Sequence, residues 1–158
     1  MPAFTVPDNI ADWIRDHTQR YLDSNGEDGH MWDRPGGGGI LPTLLLVTTG
    51  RKSGNEITLP LIYGTTGSEE TGDVAYIIVA SKGGAPAHPA WYLNLDANPD
   101  VQIQVGADRC HATARTASGD ERSTLWEQMA ELFSPYIEYQ ARAADHREIP
   151  VVVLEPVQ

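Results

Sequence analysis

Six stretches rich in leucine, β-branched and aromatic residues, several of them joined by turn-length connections, constrain this chain more than any other feature. They are Leu44–Thr49, Ile57–Tyr63, Val74–Val79, Val101–Val105, about Arg109–Thr116, and Ile149–Leu154. The first ends at Gly50, and Arg51-Lys52-Ser53-Gly54 completes a hairpin tip; Thr65–Asp73 is a polar hairpin loop; Gly106-Ala107-Asp108 turns the fourth run into the fifth. A doubly wound parallel sheet needs alternating βα units, and this order does not supply them. Val101, Ile103 and Val105 alternate with Gln102 and Gln104, the pattern of a half-buried strand, whereas Ile149–Leu154 is a near-continuous apolar run that should close the sheet. The expected class is mainly β with peripheral helices (α+β), mostly antiparallel, with Pro60 breaking the second strand's ladder locally.

Helical spacing occurs at four places. Ile10, Trp13, Ile14, His17 and Tyr21 predict an amphipathic helix over about 8–22, with Asp8 as its cap and Asp12, Arg15 and Asp16 on its polar face. That face suits packing on the sheet better than lying on an anionic membrane. Pro89 is expected to open a helix with Trp91 and Leu95 at i,i+4, ended by Ala97-Asn98-Pro99. Ser118 and Glu121 form a capping-box signature before Leu125, Trp126, Met129 and Phe133, and Pro135 starts a short helix with Tyr136 and Tyr139 on one side. Between the first helix and the first strand lies a Gly-rich loop, about 23–42, in which Gly36 to Gly39 are too flexible for regular structure. Met31 and Trp32 interrupt it and are expected to tuck back onto the domain, the alternative being a cover over a substrate pocket.

At 158 residues and 41% hydrophobic, the chain is long enough for one cored domain and short for two, so 1–158 is read as a single domain. No apolar run approaches the ~20 residues of a membrane span, and Met1–Asp8 lacks a basic segment followed by an apolar core. The expectation is a cytoplasmic protein with no stable membrane insertion, peripheral association remaining open. Cys110 alone forms no intramolecular disulfide, and the five histidines show no ligand spacing, so no metal is expected. A formal net charge of −11 excludes nucleic acid as a general partner.

The chemistry concentrates in Ala80–Leu95, A-S-K-G-G-A-P-A-H-P-A-W-Y-L-N-L. A strand feeds Ser81-Lys82-Gly83-Gly84 and then a helix. Two glycines let the backbone approach a ligand, Ser81 and Lys82 supply a hydroxyl and a charge, and a helix N-terminus adds amides, so the joint can grip an anion. A turn whose lysine points into water is the alternative, and composition does not separate the two. The same holds for Arg51, Lys52 and Ser53 at the hairpin tip, where a solvated turn is the plainer reading.

Ala80–Leu95, together with T-T-G-R-K-S-G at Thr48–Gly54, A-N-P at Ala97–Pro99, P-Y-I-E-Y-Q-A-R at Pro135–Arg142 and R-E-I-P-V-V-V-L at Arg147–Leu154, resembles the deazaflavin (F420)-dependent nitroreductase family. This is a branch of the flavin/deazaflavin oxidoreductases. The ordered set covers most of the chain. The resemblance implies a split β-barrel like that of FMN-binding proteins and coenzyme F420 as cofactor, with FMN as the alternative. It places the F420 phosphate and tail at Arg51, Lys52 and Ser53, and adds Tyr63, Ala80, Ser81, Lys82, Gly83, Gly84, Pro89, Trp91 and Asn94 as cofactor-binding positions. F420 carries a phosphodiester and a polyglutamate tail, so an acidic chain must offer it a locally positive cleft.

No triad, carboxylate pair or metal cluster appears in the sequence, which suits hydride chemistry carried by a cofactor. The implied function is an F420H2-dependent reductase acting on an electrophilic planar acceptor: an enone or unsaturated lactone, a quinone, or a nitroaromatic. Tyr136, Tyr139 and Ser81 are the catalytic candidates on its side of the pocket. Phe133 stands where relatives active on nitro compounds often carry a tyrosine. The rival readings are a non-catalytic F420- or lipid-binding protein and an FMN-dependent oxidoreductase of the same fold; monomer and homodimer are both open.

Overall fold

The computed structural model describes residues 6, 10–33, 39–68 and 70–157; the expected Asp8 cap and Gly36–Gly38 lie outside them. The elements run α1 (Asp12–Asp23), β1 (Met31–Asp33), β2 (Ile40–Thr49), β3 (Glu56–Ile62), β4 (Gly64–Thr66), β5 (Ala75–Val79), a 3-10 turn at Lys82–Gly84, α2 (Ala90–Ala97), β6 (Asp100–Val105), β7 (Asp108–Thr116), α3 (Gly119–Leu132), α4 (Pro135–Ala143) and β8 (Val151–Pro156). All strand pairs are antiparallel, in the order β1-β2-β6-β7-β8-β5-β4, with β3 on β2.

The six runs of the sequence are the six staves of a split barrel, and among the described residues the strand count rises to eight for two reasons. The stave after the β2 hairpin divides at Tyr63: up to Ile62 it pairs with β2, and from Gly64 it pairs with β5. That switch of partner carries the sheet from one edge to the other. The second addition is β1, three residues of the expected loop, which pair Trp32 with Leu41. Trp32 packs as expected, stacked on His17 with ring centroids 3.9 Å apart, while Met31 stays 53% exposed.

The near-continuous apolar strands are buried on both faces. On β8, Val152 and Leu154 join Ile78, Ala80, Leu44 and Ile103 in one core, to which α2 adds Trp91 and Leu95. Val151 and Val153 point the other way, with Ile77, Val79, Leu125, Met129, Phe133 and Tyr136, under α3 and α4. Period-two alternation therefore feeds two cores rather than one core and solvent.

Four local expectations change. α1 begins at Asp12 after Ala11, which offers no side-chain cap. Pro89 has ψ 150°, extended rather than helical, so it caps α2 and Ala90 opens it. Ser118 does sit at the N-cap of α3, but its side chain makes no cap bond, and Glu121, the other half of the expected capping box, pairs with both terminal nitrogens of Arg115. The β2–β3 ladder runs unbroken from Thr43↔Ile62 to Thr49↔Glu56 through Leu45↔Pro60; β3 lies off the main strand order, and its free edge tolerates a residue with no N–H.

Candidate active site

The segment between β5 and α2 is held from behind by two arginines. Arg147 donates from Nε to the Ala85 carbonyl at 2.9 Å, from Nη1 to Ala80 at 3.0 Å and from Nη2 to Ser81 at 2.9 Å; Arg142 Nη1 donates to Gly83 at 2.8 Å. Ser81 and Lys82 carbonyls also accept from the Gly84 and Ala85 amides. With these carbonyls engaged, the Ser81, Lys82 and Gly83 amides donate to none of the described residues. Ser81 is right-handed helical (φ −78°, ψ −37°) and Lys82 follows at φ 45°, the alternation that gathers successive amides into an anion-binding concavity. A lysine in the left-handed region costs about 1–2 kcal/mol, a strain of the kind that collects at functional sites.

The glycines divide their tasks. A Cβ on Gly83 would meet nothing within 4 Å, whereas one on Gly84 would lie 2.7 Å from the Tyr139 carbonyl oxygen and 2.9 Å from its Cα. Gly84 is thus the point where α4 presses on the loop. That contact sets the aromatic row of Phe133, Tyr136 and Tyr139, in which the first two rings meet edge-on at 4.9 Å.

These parts enclose a cavity of ≈ 530 Å³. Ser81, Lys82, Gly83, Pro89, Ala90 and Trp91 form one wall, Phe133, Tyr136 and Tyr139 another, and β3 a third with Leu59–Ile62. The remaining wall is α1, through Trp13, Ile14 and His17, with Trp32 of β1. The described residues supply this lining with one ammonium, Lys82, and no carboxylate, in a chain that carries 22 Asp and Glu.

Seven of the expected site residues, Ser81, Lys82, Gly83, Pro89, Trp91, Tyr136 and Tyr139, line the cavity. Arg51, Lys52 and Ser53 do not; they form an exposed turn tied to α2, where Asn94 Oδ1 accepts from the Arg51 amide at 3.1 Å. Asn94 is 5% exposed, and its Nδ2 donates to Thr48 Oγ1, so its amide secures the hairpin. It stands one helical turn, about 6 Å, beyond Ala90 at the cavity rim. Ala80 is wholly buried beneath the loop, and Gly84 lies against α4. Tyr63 also lies off the cavity, its hydroxyl 2.7 Å from His30 Nε2. Burial raises the Tyr63 phenol's pKa, with Tyr76 adding to it.

Sequence reasoning gave no individual role to Arg147, Arg142 or His88, and it missed the contribution of α1 to the cavity. Arg147 reaches partners 59 to 67 residues away, a separation that no local period encodes. The one available signal was position: Arg142, Arg147 and His88 all fall inside the stretches that carry the family resemblance.

The family model for F420H(2)-dependent quinone reductase matches residues 13–156. An F420H(2)-dependent quinone reductase of Mycobacterium tuberculosis is 42% identical over 144 residues, 89% of this chain and 88% of that protein. A solved F420-H2 dependent reductase is 39% identical with a TM-score of 0.62, covering 80% of this chain and 98% of that one. A structure described as a domain-swapped dimer is 40% identical with a TM-score of 0.65, covering 91% and 98%. With its split barrel, its polarised loop and a match across nearly its whole length, the chain belongs to the F420H(2)-dependent quinone reductase family, oxidoreductases that draw on reduced coenzyme F420.

Proposed function

We propose that this chain reduces quinones with F420H2 in the cavity between the Ser81–Gly83 loop and α4. The observation that carries the reading is the polarity of that cavity: free amides and one ammonium on one wall, aromatic and aliphatic surface elsewhere, and no carboxylate among its described lining residues, in a chain of net charge −11. These groups fit an anionic cofactor with a planar ring. When bound, reduced F420 supplies the hydride.

The residues present have separable tasks. Ser81, Lys82 and Gly83 offer amides and charge to the cofactor, and the first turn of α2 adds unpaired N–H groups beside Pro89 and Trp91. The exposed cations Arg51 and Lys52, on the hairpin turn that Asn94 ties to α2, suit a charged tail leaving the cavity. Phe133, Tyr136 and Tyr139 exclude water and face the acceptor. A quinone taking up hydride develops negative charge on oxygen, so a tyrosine hydroxyl there stabilises the transition state more than the ground state. Phe133, buried at the cavity wall where nitro-active relatives often place a tyrosine, favours quinones over nitro compounds as acceptors. A homodimer in the cytoplasm completes the reading; a relative described as a domain-swapped dimer supports the assembly.

Fluorescence titration of the purified protein tests it. F420 should bind more tightly than FMN, and F420H2 should be oxidised on addition of a soluble quinone. Lys82→Ala should weaken F420 binding by about 1.5–3 kcal/mol, less at high salt. Tight FMN binding without F420 binding would assign the chain to the flavin users of this fold. F420 binding with no quinone turnover would assign it to the binding proteins.

A further inference from the structure

His88 lies between the loop and α2, and its Nδ1 is 3.1 Å from Nη1 of Arg147, the nitrogen that also donates to the Ala80 carbonyl. A guanidinium has no acceptor, so the imidazole nitrogen in this pair must be the lone-pair side of a neutral ring with its proton on Nε2. Four acceptors, three loop carbonyls and one imidazole, thus share one planar fork. A lysine or a water cannot reproduce that geometry.

We propose that Arg147 and neutral His88 form a proton-gated clamp that keeps the loop carbonyls turned to the guanidinium and the Ser81–Gly83 amides free for an anionic ligand, so that protonating His88 loosens the ligand site. The proposal rests on the F420 reading for the identity of the ligand. Arg147 and His88 act as positioning residues, since neither lines the cavity. Protonation puts an N–H where Arg147 needs an acceptor and sets two cations side by side.

The groups facing the His88 ring are Arg147, from the segment between α4 and β8, and Tyr92 and Asp96 from α2. Tyr92 packs against the ring at 4.9 Å and turns its hydroxyl to Thr116, and so contributes a surface rather than a charge. Desolvation, then Arg147, hold His88 below its ordinary 6.5, while Asp96 opposes them. The neutral ring is therefore the resting form at neutral pH, and the clamp opens on the acid side.

Two variants test the clamp. His88→Asn keeps an acceptor oxygen near Nδ1 but cannot take up a proton. In the parent, F420 affinity should fall as pH is taken below His88's ordinary 6.5, and in His88→Asn that fall should be abolished while affinity at neutral pH is kept. Any titration of the ligand is common to both proteins and cancels. Arg147→Lys should weaken F420 binding ~10- to 100-fold at neutral pH, with the acid-side fall lost. The ligand-free readout is NMR: amide signals of Ser81–Gly84 should shift with the His88 titration in the parent and stay still in His88→Asn. Identical pH profiles and identical amide titrations in parent and His88→Asn overturn the clamp, as does unaltered affinity in Arg147→Lys. Failure of the parent to bind F420 at all, with the amide titration intact, removes the ligand's identity and leaves the clamp standing.

Discussion

Tyr136 lines the cavity yet is 4% exposed, with its ring packed among Phe133, Trp126 and Tyr139. Tyr139 is half-buried, with the Arg142 guanidinium carbon 5.8 Å from its ring centroid. A hydroxyl held by a packed ring loses little freedom in the transition state, so of the two proposed donors Tyr136 is the one expected to matter more. Tyr136→Phe keeps the packing and removes the donor. It should leave F420 affinity and Tm nearly unchanged and lower kcat/KM for quinones by roughly one to two powers of ten, a modest share of what an oxyanion donor supplies. Tyr139→Phe should do less. Steady-state kinetics with one quinone decides this, and parent-like turnover in Tyr136→Phe would transfer the role to Ser81 or solvent.

The loop and α4 are coupled at the scale of elements, because Gly84 lets the backbone of Tyr139 approach where any side chain would intrude. Gly84→Ala must push α4 away or open the 3-10 turn, and it also forces alanine to φ 82°. Gly83→Ala meets only the second difficulty, at φ 63°, since its Cβ has open space. We expect Gly83→Ala to cost about 1 kcal/mol of stability and Gly84→Ala clearly more, with kcat falling in step as the tyrosines move. Chemical denaturation and quinone kinetics on both variants check the ordering. Equal effects would mean that backbone strain, not the approach of α4, governs the pair.

Across the whole molecule, one phenol joins the N-terminal helix to the barrel. Tyr21 is fully buried, with its hydroxyl 2.9 Å from the Thr43 carbonyl and 3.1 Å from that of Gln104, and it accepts the Gly106 amide at 2.7 Å. Burial pushes its pKa up to about 12, against some lowering by the Gly106 bond. The unfolded phenol ionises near 10, so stability from this group is complete below that pH and is lost as pH rises from 10 towards 12, by up to about 3 kcal/mol. Urea unfolding of the parent should show that alkaline loss, and Tyr21→Phe should lack this part of it while being less stable by about 1–3 kcal/mol at neutral pH. The same variant loosens the α1 wall, so KM for the quinone should rise. Strand content, the near-continuous β run at Ile149–Leu154 and the glycine-bearing loop after β5 could all be read from the chain itself, because period and turn chemistry act over a few residues. Hydrogen-bond partners are chosen among whatever the fold brings near, and there a local rule misled: Glu121 pairs with Arg115 instead of completing the capping box of α3. Only the tertiary structure joined Arg147 to a loop some sixty residues away and set α1 against β3 to wall the cavity, since a guanidinium's donors and a helix's apolar stripe specify the kind of partner they need but not its place in the chain.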